Sequence, residues 1–235
     1  MSIAFGVALG QVQGSGAASR ELTSLSVTGT DLIILAAVRT ETVTKTVSSI
    51  NWTEAGGGGA QAFTQLGGYK DAEASNHRVS LWYLVNPTQS PTNSRIVATI
   101  SANDQMYLAA DFYTGVAQSS TFNTADEGGP STTDPGASTT TSDTTGSWAV
   151  GVVISGNSGI SFLTGTPRQQ ISTGGGDGQL LDSNAGVNSG VPFAVTWTGG
   201  GSFAWITAMM RPAGAVPATG GNPTAGFMTL MGTGN

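Results

Sequence analysis

The chain has no cysteine and only one histidine among its 235 residues. Without cysteine, neither a disulfide framework nor a catalytic thiolate is available. The single histidine, His77, would have to be the base of any Ser-His-Asp triad, and it leaves zinc without a full set of nitrogen or sulfur ligands. Because His77 lies in the polar stretch of residues 71–77, we predict that its side chain is exposed. We predict no catalytic, metal or cofactor site.

Charged residues are also scarce, at 9% of the chain, against roughly 25% in typical soluble domains. The net charge is −6 and there is no basic patch that could neutralise phosphates, so nucleic acid is not an expected partner. A free monomer usually depends on surface charge for its solubility. Low charge combined with many small polar residues therefore favours a subunit that is packed in an assembly.

Long apolar runs are missing as well. The longest, residues 32–38, is far shorter than the roughly 20 residues that span a bilayer. No lysine or arginine precedes Arg20, and residues 1–14 alternate rather than forming an apolar block, so a secretion signal is not expected. We predict a protein that is made in a host cytoplasm and has no membrane partner.

What the chain does contain is a period-two alternation of apolar and polar residues, which is typical of β-strands. It is clearest in residues 78–101, where two apolar-rich runs flank a turn with Pro87 and Pro91. This pattern predicts a hairpin, or two strands joined across a sandwich. Further strands are predicted at residues 3–13, 22–27, 32–40, 42–52, 62–69, 106–113, 147–154, 160–163, 179–182, 192–198 and 202–211. With no sustained helical period, the predicted fold class is all-β: an antiparallel, jelly-roll-like β-sandwich.

The same alternation predicts which side chains form the core. The residues expected to lie mostly inside are Trp82, Leu84, Ile96, Ile100, Trp148, Val150 and Trp197. All five tryptophans lie in strand-like runs, so packing is favoured over a role as exposed platforms for sugars.

Residues 121–145 have no apolar periodicity and are rich in Ser, Thr, Asp and Gly. We predict an exposed loop that tolerates deletion, with room for one short polar strand, and the alternative is a receptor-binding loop. Its carboxylates are Asp126, Glu127, Asp134 and Asp143. Acid catalysis needs a carboxyl held against an apolar wall. This composition does not provide one, so we do not expect an enzyme.

The strand pattern stops at residue 211, which predicts a sandwich over residues 1–211 and an extended C-terminal arm over residues 212–235. The arm begins with a linker rich in proline, glycine and alanine, which cannot easily form a strand ladder. It ends in an apolar cluster made of Phe227, Met228, Leu230 and Met231. Exposed apolar clusters usually mark contacts, so we predict that these residues dock on a neighbouring subunit or on an underlying shell. The alternative is that the arm folds back on its own sheet or remains unattached.

Four segments have a recognisable order and spacing: VSSINW at residues 47–52, FTQL at 63–66, LWYLVNP at 81–87 and FYTGVAQ at 112–118. In these motifs the chain resembles, over residues 22–211, the β-sandwich domains of uncharacterised bacteriophage virion proteins and of some bacterial surface proteins. The motifs are structural rather than catalytic. The resemblance implies a structural part of a virion or a cell surface, and the low charge favours the virion.

The expected function is therefore that of a structural bacteriophage virion protein, such as a capsid decoration, an auxiliary outer-shell subunit or a tail-associated subunit. Its expected partners are copies of itself, with a trimer as one option, and a major virion shell protein. The alternative is a glycan-binding β-sandwich module of a tail fibre or a surface adhesin. An enzyme is the third class.

Overall fold

The structure is a computed structural model that describes residues 1–54, 59–72, 76–132, 136–156, 159–171, 178–199 and 201–214. These residues form only β-strands and their connections. In chain order the strands are β1 Ala4–Val27, β2 Ile33–Thr40, β3 Val47–Thr53, β4 Gln61–Ala62, β5 Thr64–Asp71, β6 Arg78–Val85, β7 Ser90–Thr114, β8 Asp126–Ser131, β9 Gly136–Thr141, β10 Trp148–Ser155, β11 Ser161–Thr164, β12 Thr166–Gln170, β13 Gly178–Asp182, β14 Pro192–Thr198 and β15 Phe203–Met210.

The strands form three sheets, and all of their pairings are antiparallel. The first sheet has the order β4-β3-β7-β2-β6-β5, with β1 paired to β7; the second has the order β12-β13-β10-β15-β8, and the third β11-β14-β9. The predicted class, an antiparallel all-β sandwich, is confirmed. The jelly-roll connectivity stays a prediction.

The first sheet is built on a long ribbon in which β1 and β7 pair along almost their whole lengths. Along the other edge of β7, β2 and β3 lie end to end. The connection between these two strands stays in register with β7, because the backbone N–H of Glu41 donates to the carbonyl of Gln105 (3.2 Å) and that of Ser101 to the carbonyl of Thr46 (2.8 Å). The result is a three-stranded band about as long as β7.

This sheet folds over and covers one of its own faces. The described members of its core cluster come from both halves of β7 and from β1, β2, β3 and β6 with their connections. Within that cluster, Ile34 of β2 and Trp52 of β3 are completely buried. One edge of the folded sheet is closed by β4 and β5, which are separated only by Phe63 and pair with β3 and with β6 respectively.

Two strands lie at the centre of the stack of sheets and are buried on both faces. All eight residues of β2 are buried; Ile34 belongs to the first sheet's own core, while Leu35 packs with side chains of the second sheet. All eight residues of β10 are buried as well, with Val152 in the core shared with the first sheet and Val153 in the core shared with the third. A strand buried on both faces is apolar throughout rather than alternating.

The hairpin predicted for residues 78–101 is wrong. Strands β6 and β7 belong to the same sheet, but β2 lies between them and pairs with both. Because β2 is apolar on both faces, it is stable only in a central position. That position separates two strands that are neighbours in the sequence.

Two predictions divided strands that are continuous. The strands predicted at residues 3–13 and 22–27 are parts of β1, and the one predicted at residues 106–113 is the end of β7. Each long strand gives the other a partner for its polar middle, so the ladder continues where the apolar alternation stops.

The strand predicted over residues 42–52 starts only at Val47. Before it, the carboxylate of Asp104 accepts hydrogen bonds from the backbone N–H of Thr42 (3.0 Å) and from its hydroxyl (3.3 Å). A turn follows, in which the N–H of Lys45 donates to the carbonyl of Thr42 (3.0 Å). The β-propensity of this threonine-rich stretch is therefore overridden by a side chain that satisfies the turn.

The exposed loop predicted for residues 121–145, with room for one short strand, is wrong as well. It contains two strands, β8 and β9, which pair with β15 and β14. Ser138 and Thr140 on β9 are only 2% and 4% exposed. Their small hydroxyl side chains face a polar interior, where the Ser138 hydroxyl hydrogen-bonds with that of Thr207. This explains why no apolar pattern marks the strand.

Six of the seven predicted core residues are buried, at 8% exposure or less: Leu84, Ile96, Ile100, Trp148, Val150 and Trp197. The exception is Trp82, which is only half-buried at the margin of the first sheet's core. Its indole N–H donates to the hydroxyl of Ser80 at 2.8 Å.

The sandwich continues slightly past residue 211. Val116 and Pro212 form an isolated β-bridge, and the N–H of Ala213 donates to the carbonyl of Gly115 at 2.8 Å. The rest of the predicted arm, from residue 215 onward, lies outside the described residues. So do its four predicted contact residues, Phe227, Met228, Leu230 and Met231.

Candidate binding site between β1, β7 and β12

The clearest candidate site lies where β12, the edge strand of the second sheet, crosses β1 and β7. On this face of the first sheet, side chains from β2, β7 and β1 form cross-strand rows. The rows are Arg39–Tyr107–Gln13, Ala37–Ala109–Gln11, Leu35–Asp111–Ala8 and Ile33–Tyr113–Phe5. Because side chains alternate between faces, every second residue of β2 and β7 takes part. On β1 two bulges widen the spacing to three residues.

A cavity of about 330 Å³ opens beside the first two of these rows. Its lining residues are Gln11, Val12 and Gln13 of β1, Tyr107 and Leu108 of β7, and Gln170 of β12. Gln11, Gln13 and Gln170 are exposed, whereas Tyr107 is 2% exposed and forms the inner wall. None of these residues is charged, so the cavity offers hydrogen-bonding groups without a net charge.

Farther along β12, a buried acidic cluster ties the first sheet to the second. Asp182 of β13 is completely buried and forms a two-pronged ion pair with Arg168 of β12, at 2.7 Å to Nε and 2.9 Å to Nη2. The hydroxyl of Tyr113 on β7 donates to the same carboxylate at 3.1 Å. The guanidinium of Arg168 also lies 4.1 Å from the ring centroid of Phe5 on β1. These contacts fix the position of β12 over the ribbon.

Asp111 lies next to this cluster and is much less well accommodated. It is 1% exposed, and neither of its carboxylate oxygens has a partner in hydrogen-bonding geometry among the described residues. Burial and the nearby charge of Asp182 raise the pKa of Asp111 to about 7, against a weaker opposing effect of Arg168 and Gln169. Burial and the two carboxylates also raise the pKa of Tyr113 well above its usual value.

A carboxyl group with a pKa near 7 is suited to general acid catalysis. Asp111, however, is not among the residues that line the cavity, and its side chain is enclosed between the two sheets. A ligand in the cavity would therefore meet amide and phenol groups rather than this carboxyl. We interpret Asp111 as a structural group that makes stability depend on pH.

His77 contradicts the prediction of an exposed side chain. It is 8% exposed, and its Nε2 lies 2.7 Å from Oε2 of Glu41. The other oxygen of Glu41 pairs at 3.0 Å with Arg39, which is completely buried and donates at 3.3 Å to the carbonyl of Ile171. Burial raises the pKa of Glu41, but the hydrogen bond from His77 and the charge of Arg39 outweigh burial and lower it.

The carboxylates predicted in residues 121–145 serve as ties between strands. Asp126 accepts from the backbone N–H of Thr139 at 2.9 Å, and Glu127 pairs with Lys70 at 2.8 Å. Asp143 accepts from Nε of Arg211 at 2.9 Å, and Asp134 lies outside the described residues. The structure does not bring the three described carboxylates together around a cavity.

The prediction that the tryptophans are packed, rather than exposed as platforms for sugars, is confirmed. Trp52 and Trp197 are completely buried, Trp148 is 8% exposed, and Trp82 and Trp205 are half-buried. Any sugar binding by this chain would need a different kind of site.

Sequence reasoning missed the amide-lined cavity. One signal was present: Gln11 and Gln13 alternate with apolar residues within the first strand, which places both amides on one face. The third amide, Gln170, lies on β12, where no strand was predicted and where the chain contains Pro167. Proline is tolerated at the edge of a sheet, and β12 is such an edge strand.

Among the described residues there is no helix that could cross a membrane and no group of three or more His, Cys, Asp or Glu side chains that could hold a metal ion. Comparison with protein-family models, with curated proteins and with solved structures finds no match to this chain. The resemblance to bacteriophage virion domains therefore stays a prediction.

Proposed function

We propose that this chain is a structural protein of a bacteriophage virion, most simply a capsid decoration or auxiliary outer-shell subunit that packs on the particle through its sandwich and its C-terminal arm. In this role it acts as an assembly component rather than as an enzyme. Its partners are other copies of itself, in a trimer or another oligomer, and a major virion shell protein. The observation that carries the proposal is how little free charge the sandwich presents.

Most of the few basic side chains are paired within the chain. Six of the eight lysine and arginine residues form ion pairs: Arg39–Glu41, Lys70–Glu127, Arg78–Asp71, Arg95–Glu21, Arg168–Asp182 and Arg211–Asp143. Arg20 donates instead to the carbonyls of Ser15 and Ser19. Proteins that remain free in solution usually rely on surface charge to stay apart. A surface of mostly uncharged small side chains suits a subunit with permanent neighbours.

The edge of the first sheet supports the same proposal. Within the described residues β1 pairs only with β7, which leaves one edge of a 24-residue strand available for pairing. Arg20 and Glu21 are its only charged residues, it contains no proline, and Val7 is 47% exposed. Natural sheet edges that remain free are usually protected by charges or proline, or by bulges, which β1 has. The part of β1 before Arg20 carries no charge, so its free edge is suited to contact with a neighbouring subunit.

The test is to quantify the chain in particles purified from the bacteriophage that encodes it. Quantitative mass spectrometry should find it in a copy number comparable with that of the major shell protein. Native mass spectrometry of the isolated full chain should show an oligomer. Absence of the chain from purified particles would reject the proposal.

The contribution of the arm is tested by truncation after Ala213, which keeps the bridge between Val116 and Pro212. The truncated chain should melt at the same temperature as the full chain, while its oligomerisation or its binding to particles should fall sharply. If it assembles as well as the full chain, the arm is dispensable and the sandwich alone mediates assembly.

A further inference from the structure

We propose that the cavity between β1, β7 and β12 is a binding site for a neutral sugar, of the size of one pyranose unit at the end of a glycan. This inference does not depend on the proposed virion role, because it concerns binding by the isolated sandwich. It rests on the chemistry of the lining, on the way the fold positions it and on the size of the space.

The lining presents three carboxamides, from Gln11, Gln13 and Gln170. Each carboxamide offers two N–H donors and one carbonyl acceptor in a fixed plane. A sugar hydroxyl both donates and accepts, so two adjacent hydroxyls can bond to the N–H and the carbonyl of one amide. An ionic ligand would lack a counter-charge here, because none of the six lining residues is charged.

The fold holds the amides around one space. Gln11 and Gln13 are two residues apart on β1 and therefore lie on the same face, while Val12 between them packs against the first sheet's core. Gln170, the last residue of β12, also lines the cavity. The ion pair of Arg168 with Asp182 anchors the same strand two residues earlier. The positions of the amides are thus determined by two packed sheets, which the hydrogen bond from Tyr113 to Asp182 joins nearby.

Tyr107, at 2% exposure, forms the buried inner wall of the cavity, so a ligand would be held mainly by the polar groups around it. Its side chain is held from two sides: the amide of Gln105 donates to its hydroxyl, and the guanidinium of Arg39 lies 5.2 Å from its ring centroid. The charge of Arg39 is compensated by Glu41 at 3.0 Å, so it does not make the cavity cationic.

The size favours a compact ligand. At about 330 Å³ the cavity is at the lower end of the range for small-molecule sites, roughly 300–1,000 Å³. Amides that approach one space from two strands surround a ring better than they follow an extended chain. A peptide, which would also pair with amides, is therefore the less suitable ligand.

The experiment uses the isolated full chain, labelled with ¹⁵N, and a panel of sugars. Glucose, galactose, mannose, N-acetylglucosamine and N-acetylgalactosamine are the neutral probes; glucuronic acid and N-acetylneuraminic acid are the charged comparators. At least one neutral sugar, free or at the end of an arrayed glycan, should bind saturably and shift the side-chain amide resonances of the three glutamines. The charged comparators should bind more weakly.

The variants Gln11→Ala, Gln13→Ala and Gln170→Ala should each weaken binding by roughly 3- to 10-fold, the effect of losing one or two hydrogen bonds. All three side chains are exposed, so these variants should fold. Gln65→Ala on β5 is the matched control and should bind like the unmodified chain. The inference is overturned by any of three results: no saturable binding of a neutral sugar, a preference for the charged comparators, or binding that the three variants do not change.

Discussion

The hydroxyl of Tyr113, near the end of β7 in the first sheet, donates a 3.1 Å hydrogen bond to Asp182, a completely buried carboxylate of the second sheet. Asp182 is also held by Arg168, so the bond is one part of a charge-assisted network that joins two layers. A buried carboxylate that loses a donor must bear part of its desolvation cost without compensation. Several properties of the molecule depend on this interface.

Tyr113→Phe should lower the free energy of unfolding by about 1–2 kcal/mol, because it removes the hydroxyl and leaves the ring in place. Urea denaturation at pH 7 measures the change. Tyr83→Phe is the matched control. Tyr83 is half-buried and packs edge-on against Phe122, with the two ring centroids 4.9 Å apart. Its hydroxyl has no hydrogen bond comparable with that of Tyr113 among the described contacts. Equal stability of the two variants would show that the inter-sheet hydrogen bond contributes nothing.

Asp111 should make the protein less stable as the pH rises. Its pKa is raised from 3.8 to about 7 in the folded state, so the folded protein binds this proton more tightly than the unfolded chain does. The unfolding free energy should therefore fall between about pH 4 and pH 7, by up to about 4 kcal/mol, and then level off. Asp111→Asn removes the charge and should abolish this slope.

Denaturation curves measured between pH 5.5 and 8.5 test this prediction. That range avoids the acid side, where the lowered pKa values of Glu41, Glu127 and Asp143 should cause stability to be lost as the pH falls. Asp31→Asn, in the turn after β1, should keep the slope of the unmodified chain. An unchanged slope in Asp111→Asn would rule out Asp111 as its origin.

Gly151 should not tolerate a side chain. It lies at the centre of β10, where a Cβ atom would come within 2.5 Å of the backbone carbonyl oxygen of Ile206 on the neighbouring strand β15. Because backbone atoms of a central strand cannot move away cheaply, Gly151→Ala should lower stability by about 1–3 kcal/mol. Gly59→Ala is the control and should be neutral, because the new methyl group would meet nothing within 4 Å. Thermal melts of the two variants measure the difference.

Deletion of residues 136–141 should prevent the chain from folding correctly, although these residues read as a polar loop. The segment is β9, which pairs along its whole length with β14. Its loss would expose Trp197, a completely buried residue of the strand it covers. Soluble yield and near-ultraviolet circular dichroism of the tryptophans measure the effect. Normal folding after the deletion would mean that the third sheet does not need its edge strand.

Local alternation was sufficient to predict the fold class, because whether a side chain faces inward or outward on a strand is set by near neighbours. It located most strands and six of seven core residues, including Trp148 and Ile96. It could not predict that β2 lies between β6 and β7, since pairing depends on which distant strand offers a matching apolar face. It also missed β9 and β12, whose sequences, GASTTT and TPRQQ, contain no large apolar residue.

The sequence by itself determined an all-β chain with little charge, no thiol chemistry and a single imidazole. Only the tertiary structure decided how the few polar groups are used: His77 is buried against Glu41, Asp111 is enclosed beside Asp182, and Gln11 and Gln170 meet across a cavity. The physical reason is that burial and the charge of neighbouring groups change the properties of a side chain, and in these three pairs the neighbours lie 36, 71 and 159 residues apart in the chain. Composition shows which groups are available, and packing determines their environment.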